Sequence, residues 1–445
     1  MELRNKHVVI YGLGKSGVAA AQLCVAQGAR VTGFDRSELQ RLSAEARALD
    51  AELVTGADAT LDLTRAELVV VSPGVPDQPE LRAALEAGVE VIGELELASR
   101  FLRAPLLVVG GTNGKSTATT LLAALLEHAG LRVFAGANLG RPAAEAAAEG
   151  FDVVVWEVSS FQLERVSQLH PKVSVLLNIS EDHLDRYDDF QAYADAKGNA
   201  FIKQTADDCA VVPRGDAACL QQAQRGAARV VTFGAGGDYD VVDSDILERE
   251  SGQRWSLSQS RLFGRHNFDN AAAAVAAARA FGIGADAVAH GIAAFEPLPH
   301  RMARVACVGG VNYYDDSKAT NVGAAVTALL GLSEDKAVLI AGGRDKHGSY
   351  EPLVEALARR ARAVVLVGEA AERIAAAVGD RVAHQRVSDM RAAVRAAREL
   401  ARAGDAVLLS PACSSYDMFS SYSERGDAFA AAVQELIENE ERRAP

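Results

Sequence analysis

One stretch constrains the fold more than any other: Leu106 to Thr117, reading LLVVGGTNGKST. An apolar run from Leu106 to Val109, suited to a buried parallel strand, ends in Gly110-Gly111-Thr112-Asn113-Gly114-Lys115-Ser116-Thr117. An Ala/Leu-rich helical pattern from Thr119 to His128 follows. Strand, glycine loop and helix in that order build a phosphate cradle. Glycines let backbone N–H groups turn toward a polyphosphate, and the helix N-terminus adds partial positive charge. Lys115 reaches the outer phosphates, and the Ser116 hydroxyl can ligate Mg2+. The loop is one residue shorter than the GxxxxGK[ST] pattern, whose first glycine position holds Val109 here. A ligand-free glycine turn is the plainer alternative, and Lys115-Ser116 at the helix start argues against it. The expectation is a nucleoside triphosphate site built from Gly111, Thr112, Asn113, Gly114, Lys115, Ser116 and Thr117.

The chain has 445 residues, 49% hydrophobic and 24% charged, which suits a soluble globular protein of two to four domains. A net charge of −13 argues against a nucleic-acid-binding surface as the main function. The five cysteines are scattered and lack the spacing of a zinc site, so they read as reduced thiols. The opening MELRNKHVVIYGLG runs into a strand without a signal-peptide hydrophobic region, and no apolar run is long enough to span a membrane. A cytoplasmic location without membrane contact is expected.

Upstream, His7 to Tyr11 reads as a strand. Gly12-Leu13-Gly14-Lys15-Ser16-Gly17, a helix through Gln27, and a strand from Arg30 to Phe34 ending at Asp35 follow. This is a GxGxxG unit with an acid where a ribose-binding carboxylate would sit, and by itself it fits NAD equally well. A second βα unit covers Glu67 to Val71, passes through Ser72-Pro73-Gly74-Val75-Pro76, and resumes as a helix to Gly88 and a strand from Val89 to Ile92. Residues 1–93 are expected to form one small Rossmann-like domain, with Ser72 to Gly74 close to Gly12 to Gly17.

Residues 94–298 are expected to form a central domain. After the phosphate loop come a strand from Arg132 to Ala137, Asn138-Leu139-Gly140, and the strand Val153 to Glu157. Glu157 there suits a metal on the phosphates, with a surface carboxylate as the alternative. A strand from Val173 to Ile179 runs into Ser180-Glu181-Asp182-His183-Leu184-Asp185, where His183 is either a metal ligand or part of a solvated loop. A helix from Phe190 to Phe201 carries Lys197, by spacing alone an ordinary surface lysine. Carbamylation by CO2 would give its tip carboxylate-like oxygens. Residues 205–262 read as polar and irregular, with a turn at Gly234 to Gly237. In Gly264-Arg265-His266-Asn267-Phe268-Asp269-Asn270, before an Ala-rich helix to Ala280, Asn267 and Asn270 either face a purine or cap the helix. Pro297-Leu298-Pro299 reads as a hinge.

Residues 299–445 alternate strands with helices. Strands at 311–314, 337–340, 363–367 and 406–409 each end in a polar or glycine-rich loop: Asp315 to Asn321, Ala341 to Lys346, Gly368-Glu369, and Ser410 to Ser415. That describes a doubly wound sheet with one functional edge.

GTNGKST, WEVSSFQLE, NISEDHLDRY, GRHNFDN, PHRM, DDSKATN, AGGRDK and SPACSSYDMF occur in this order, and with them the chain resembles the Mur ligase family over essentially its whole length. It is most similar to the branch that adds D-glutamate to UDP-N-acetylmuramoyl-L-alanine. The resemblance implies a three-domain α/β fold, with a Rossmann-like first domain, a central phosphate-loop ATPase-type domain with a mostly parallel sheet, and a Rossmann-like last domain. It implies a monomeric, ATP-dependent amide ligase acting through an acyl phosphate in peptidoglycan precursor synthesis. Lys115 and Ser116 would hold ATP and Mg2+, and Glu157, His183 and a carbamylated Lys197 would serve two Mg2+ ions. Asn270, Arg301 and Asp316 match adenine, phosphate and ribose contacts. Gly14, Lys15, Ser16, Asp35, Arg36, Ser72 and Asn138 match the UDP-substrate side. Lys318, Thr320, Lys346, Ser415 and Tyr422 match the loops for the incoming amino acid and the acyl phosphate. Val158 and Ser420-Ser421-Tyr422 depart from the expected Leu and Lys-Asn-Phe, the second beside the amino-acid pocket. Alternatives are L-glutamate as the substrate, a diamino-acid-adding or folylpolyglutamate-type sibling, an NAD-binding oxidoreductase on residues 12–35, and a non-catalytic nucleotide-binding regulator.

Overall fold

The computed structural model describes residues 1–147, 150–182, 186–258, 260–345 and 348–443. Its strands form three sheets. The first holds β1 (His7–Tyr11), β2 (Arg30–Asp35), β3 (Glu52–Thr55), β4 (Leu68–Val71) and β5 (Glu90–Gly93), all parallel, in the order β3-β2-β1-β4-β5. The order reverses beside β1, so the loops after β1 and β4 open the crevice where such sheets bind ligands.

The second sheet holds β6 (Leu106–Gly110), β7 (Val133–Ala137), β8 (Val153–Glu157), β9 (Val173–Leu176), β10 (Cys209–Pro213), β11 (Arg229–Phe233), β12 (Tyr239–Val242), β13 (Asp245–Glu248) and β14 (Arg254–Ser256). Their order is β14-β13-β12-β11-β10-β9-β6-β8-β7, and only the β12-β13-β14 meander is antiparallel. β6 lies between β8 and β9, and its five residues are all buried, which is why it reads as an unbroken apolar run.

Two expectations need correction here. Residues 205–262 are not irregular: they supply β10 to β14 and a helix, Ala217–Ala223. The runs CAVVP and RVVTF are only five residues each, and the polar residues between them mask their β-branched pattern. The strand expected through Ile179 stops at Leu176, because the chain then turns so that Asn178 can bond the phosphate loop.

The third sheet holds β15 (Ala303–Val308), β16 (Val311–Asp315), β17 (Ala337–Ala341), β18 (Ala361–Leu366), β19 (His384–Arg386) and β20 (Ala406–Leu409), in the order β15-β16-β20-β17-β18-β19. β15 and β16 form an antiparallel hairpin through Gly309-Gly310, both at positive φ as a tight hairpin turn requires. The remaining pairs are parallel. β15 and the exposed β19 escape the sequence pattern because neither is a clean apolar run.

The chain forms two compact units. One comprises residues 1–256 with 271–294 and contains the first two sheets; the other comprises residues 257–270 with 295–445 and contains the third. Among the described residues, no helix is long and apolar enough to cross a membrane.

Candidate active site

In the first unit the phosphate loop leaves β6 at Gly110 and enters the helix Lys115–His128 through Gly114, whose φ of +83° suits glycine. The loop is braced from outside. The Thr112 amide donates to the Asn178 carbonyl (3.0 Å), the Asn113 amide to Asn178 Oδ1 (2.9 Å), and Asn178 Nδ2 to the Asn113 carbonyl (3.0 Å). Thr112 Oγ1 lies 3.1 Å from the Tyr193 hydroxyl. Lys115 Nζ donates to the carbonyls of Gly111 (3.0 Å) and Thr112 (2.8 Å), so its ammonium rests on the loop.

Lys197 is buried in the helix Phe190–Gly198, and its Nζ donates to the same Gly111 carbonyl at 2.8 Å. Its Nζ lies 4.6 Å from the centre of the Tyr193 ring. Burial, and then the charge of Lys115, push its pKa well below the usual lysine range. That shift is toward the neutral amine, the form that reaction with CO2 needs.

Glu157, at the end of β8, is also buried. Its Oε1 accepts from Asn138 Nδ2 at 2.5 Å, while Oε2 is buried with no hydrogen-bond partner. A buried carboxylate oxygen left open is costly in a closed protein and suits a cation ligand. Ser116, the other described residue expected to ligate the metal, is buried at the helix start. The donors therefore fit Mg2+. Two residues of the expected site, His183 and Lys346, lie outside the described residues.

At the turn after β1, Gly17 packs so closely that an added Cβ would lie 1.8 Å from the Gly12 carbonyl. Ser72 Oγ donates to that carbonyl at 2.7 Å, so the loops after β1 and β4 do meet. Gly14 differs: it is exposed, and an added Cβ would meet nothing within 4 Å, which leaves its backbone open to a ligand. Lys15 is exposed and Ser16 half-buried beside it. Asp35 accepts from the amides of Leu13 (2.7 Å) and Ser37 (2.8 Å), so its carboxylate braces the turn. Arg36 is exposed and pairs with Glu80 (2.8 Å), which also accepts from the Tyr11 hydroxyl.

In the second unit, Asn267 and Asn270 are buried within the helix Arg265–Ala280. Asn267 Nδ2 donates to the Phe263 carbonyl (2.8 Å) and Asn270 Nδ2 to Asn267 Oδ1 (3.3 Å), so neither acts as the expected N-cap. Asp316, after β16, is buried. It accepts from the Met302 amide (3.3 Å) and the Ser410 hydroxyl (2.9 Å). Burial raises its pKa to about 7, against the pull of Ser410 and Arg301. Lys318 Nζ lies 3.9 Å from the centre of the Tyr422 ring. Thr320 is half-buried on the same loop, and Ser415 is buried after β20.

Arg425 carries no motif signal in the sequence. Its buried guanidinium donates to Ser317 Oγ (2.9 Å) and to the carbonyls of Ser317 (2.7 Å) and Cys413 (3.0 Å), tying the loop after β16 to the loop after β20. Asn178 and Tyr193 were missed likewise. All three act on backbone or on other side chains, which leaves no spacing signal in the sequence.

A braced glycine loop at a helix start, with a buried lysine and a buried carboxylate in the same unit, is the arrangement of an ATPase-type centre. Mur ligase domains match along the chain: the MurD-like N-terminal domain over residues 6–93, the Mur ligase middle domain over 109–278, and the glutamate ligase domain over 300–413. The chain belongs to the Mur ligase family. It is 45% identical to the UDP-N-acetylmuramoylalanine--D-glutamate ligase of Trichlorobacter lovleyi, over 98% of this chain and 100% of the relative. It is 43% identical to the enzyme of the same name from Desulfosudis oleivorans, over 100% and 99%. The fold is similar to that of the MurF ligase from Thermotoga maritima in complex with ADP (TM-score 0.63, 18% identity, 100% and 97% covered). A pseudomurein peptide ligase type C from Methanothermus fervidus is as similar (TM-score 0.63, 17% identity, 97% and 100% covered).

Proposed function

We propose that this chain joins D-glutamate to UDP-N-acetylmuramoyl-L-alanine in the cytoplasm, as a monomer, at the expense of ATP. The observation that carries the reaction type is the phosphate loop whose Gly111 carbonyl receives both Lys115 and Lys197, together with the open oxygen of buried Glu157. The choice of amino acid rests on the full-length likeness to ligases named for D-glutamate.

The alanyl carboxylate attacks the γ-phosphorus of ATP, giving an acyl phosphate and ADP. The glutamate amine then attacks the acyl carbon, the nitrogen gives up a proton to solvent, an amide forms, and phosphate leaves with its bonding electrons. Lys115 leaves the loop carbonyls for the transferring phosphoryl group and offsets its charge, helped by Arg301. Ser116, Glu157, His183 and a carbamate on Lys197 would hold Mg2+, which supplies charge neutralisation on the phosphates when bound. Asn138 orients Glu157, and Asn178 and Tyr193 keep the loop in its binding shape. Asn270 and Asp316 hold the adenosine, the latter through the ribose. Gly14, Lys15, Ser16, Arg36 and Ser72 hold the uridine diphosphate, on a turn that Asp35 braces. Lys318, Thr320, Lys346, Ser415 and Tyr422 receive glutamate and the acyl phosphate. Residues 1–93 thus take the UDP-sugar task, residues 94–298 most of the ATP task, and residues 299–445 the amino acid together with Arg301 and Asp316 for ATP, with Pro297 to Pro299 as the hinge that lets water be excluded from the acyl phosphate.

The test is phosphate release from ATP and Mg2+ with UDP-N-acetylmuramoyl-L-alanine and, in parallel, D-glutamate, L-glutamate, L-lysine or meso-diaminopimelate. Release with D-glutamate alone is expected. Release with a diamino acid instead, or with none of the four, would overturn the reading.

A further inference from the structure

The turn after β1 enters the helix Lys15–Ala26 through Gly14, and no side chain caps the amides at that helix start. Ser72, bonded to the same turn through the Gly12 carbonyl, also lines a narrow cavity. The other walls of the cavity include Pro73, Glu94, Phe161, Arg165 and Arg186, all within the first compact unit. Its charged groups differ in what already holds them. Arg186 is committed: Nη2 pairs with Glu164 Oε2 at 2.7 Å, and the guanidinium lies 4.1 Å from the centre of the Phe161 ring. Glu94 is buried, with Oε1 accepting from the Ala144 amide (2.7 Å) and Oε2 left without a hydrogen-bond partner. Burial raises its pKa to about 7, so at neutral pH it offers a cation only part of a charge. Arg165 is half-buried two residues past the helix Ser160–Leu163, and among the described residues its guanidinium has neither an ion pair nor a hydrogen bond. A guanidinium that has lost part of its hydration and gained no anion suits an anionic ligand.

We infer that Arg165 binds the diphosphate of the UDP substrate, as a cationic contact from the second sheet's side that joins the helix start at Gly14 and Ser72. The inference rests on the proposed ligase reading and adds to it a residue one place beyond the WEVSSFQLE motif. The helix start supplies backbone donors and only a partial positive charge, and Arg36 is already paired with Glu80. A guanidinium completes such a set because its fork meets two phosphate oxygens at once, which a lysine ammonium cannot do with the same geometry. At about 10 Å³ the cavity has room for one water molecule rather than a phosphate, so the diphosphate meets Arg165 at the rim.

The experiment compares wild type, Arg165→Met and Arg165→Lys in steady state with each substrate varied, and measures inhibition by UDP, which carries the diphosphate without the sugar. Arg165→Met is expected to raise both the KM for UDP-N-acetylmuramoyl-L-alanine and the inhibition constant of UDP by about 10-fold, the value of one charge-assisted hydrogen bond. The KM values for ATP and D-glutamate are expected to stay within twofold. Arg165→Lys should recover part of the loss, as a charge without the fork. A KM for the UDP substrate within twofold of wild type overturns the inference alone. So does a rise in that KM with UDP inhibition unchanged, which places the contact away from the diphosphate, and so does an equal rise in all three KM values, the mark of a merely structural role. Wild-type protein that consumes no ATP with the UDP substrate and D-glutamate overturns the ligase reading and this inference together.

Discussion

Three ionisable side chains carry predictions of their own. Lys115 rests on two loop carbonyls in the free protein, and removing such a charge from a phosphoryl-transfer centre costs about 10²- to 10³-fold in turnover. Lys115→Ala is therefore expected to be nearly inactive while unfolding at the wild-type urea concentration, and near-normal phosphate release would refute its role. Lys197, buried and pushed toward the neutral amine, should take up CO2. Turnover is expected to fall in CO2-depleted buffer and to recover with bicarbonate, whereas a Lys197→Ala variant should be inactive in both. Asp316 gives a pH dependence whose sign is fixed by its raised pKa. Unfolded, the carboxyl ionises near its ordinary value; folded, it holds its proton up to about pH 7. Folding takes up a proton in that window, so the contribution of Asp316 to stability is present below about pH 4 and is lost as pH rises to 7. Asp316→Asn does not titrate. Its stability relative to wild type should climb between pH 4 and 7, by roughly 2–4 kcal/mol, and then level off, while activity is expected to fall with loss of the proposed ribose contact. A gap that is flat with pH in denaturant titrations would contradict this.

At the scale of elements, what the sequence reveals is set by how local each signal is. The strand-loop-helix around Lys115 and the turn after β1 were legible because glycines and an apolar run specify both without help from the rest of the chain. β10 and β11 were not: each is a five-residue strand whose stability comes from pairing with β9 and with each other, and its flanks are polar. The same logic hid Asn178, Tyr193 and Arg425, which matter through what they bond, and revealed Lys197 only by family likeness. Asn267 and Asn270 are expected near the helix start and do lie there, but buried within its first two turns, where their amides bond the Phe263 carbonyl and each other instead of capping the helix. The glycines after β1 allow a direct test of element against ligand. Gly17→Ala drives a Cβ into the Gly12 carbonyl and should destabilise the protein by about 1–3 kcal/mol. Gly14→Ala meets open space at a φ of −70°, so it should leave stability unchanged or raise it by about 0.4–1 kcal/mol, yet raise the KM for the UDP substrate. If both variants lost stability equally, the turn would be a purely structural element.

On the scale of the whole molecule, the three sheets follow the order of the motifs, but the compact units do not follow the chain. Residues 257–270 belong with the third sheet although 271–294 belong with the second. The reason is visible in packing: Phe263 lies against the core that contains Tyr314 and Leu329, with its ring 5.9 Å from that of Tyr314, and the Arg265 amide donates to the Gly331 carbonyl at 3.3 Å. Sequence reading misses this because residues 257–270 precede β15 by more than thirty positions and carry no strand or hinge signal of their own. A fragment of residues 299–445 would have a complete sheet, yet it would lack the side chain that covers part of its core. Deleting a partly buried aromatic side chain costs about 2 kcal/mol or more. The fragment is therefore expected to unfold at a lower urea concentration than the same unit does in the intact chain, and to be stabilised when a peptide of residues 257–270 is added. Full stability of the bare fragment would mean that Phe263 contributes nothing to this core and that the unit ends at the proline hinge after all.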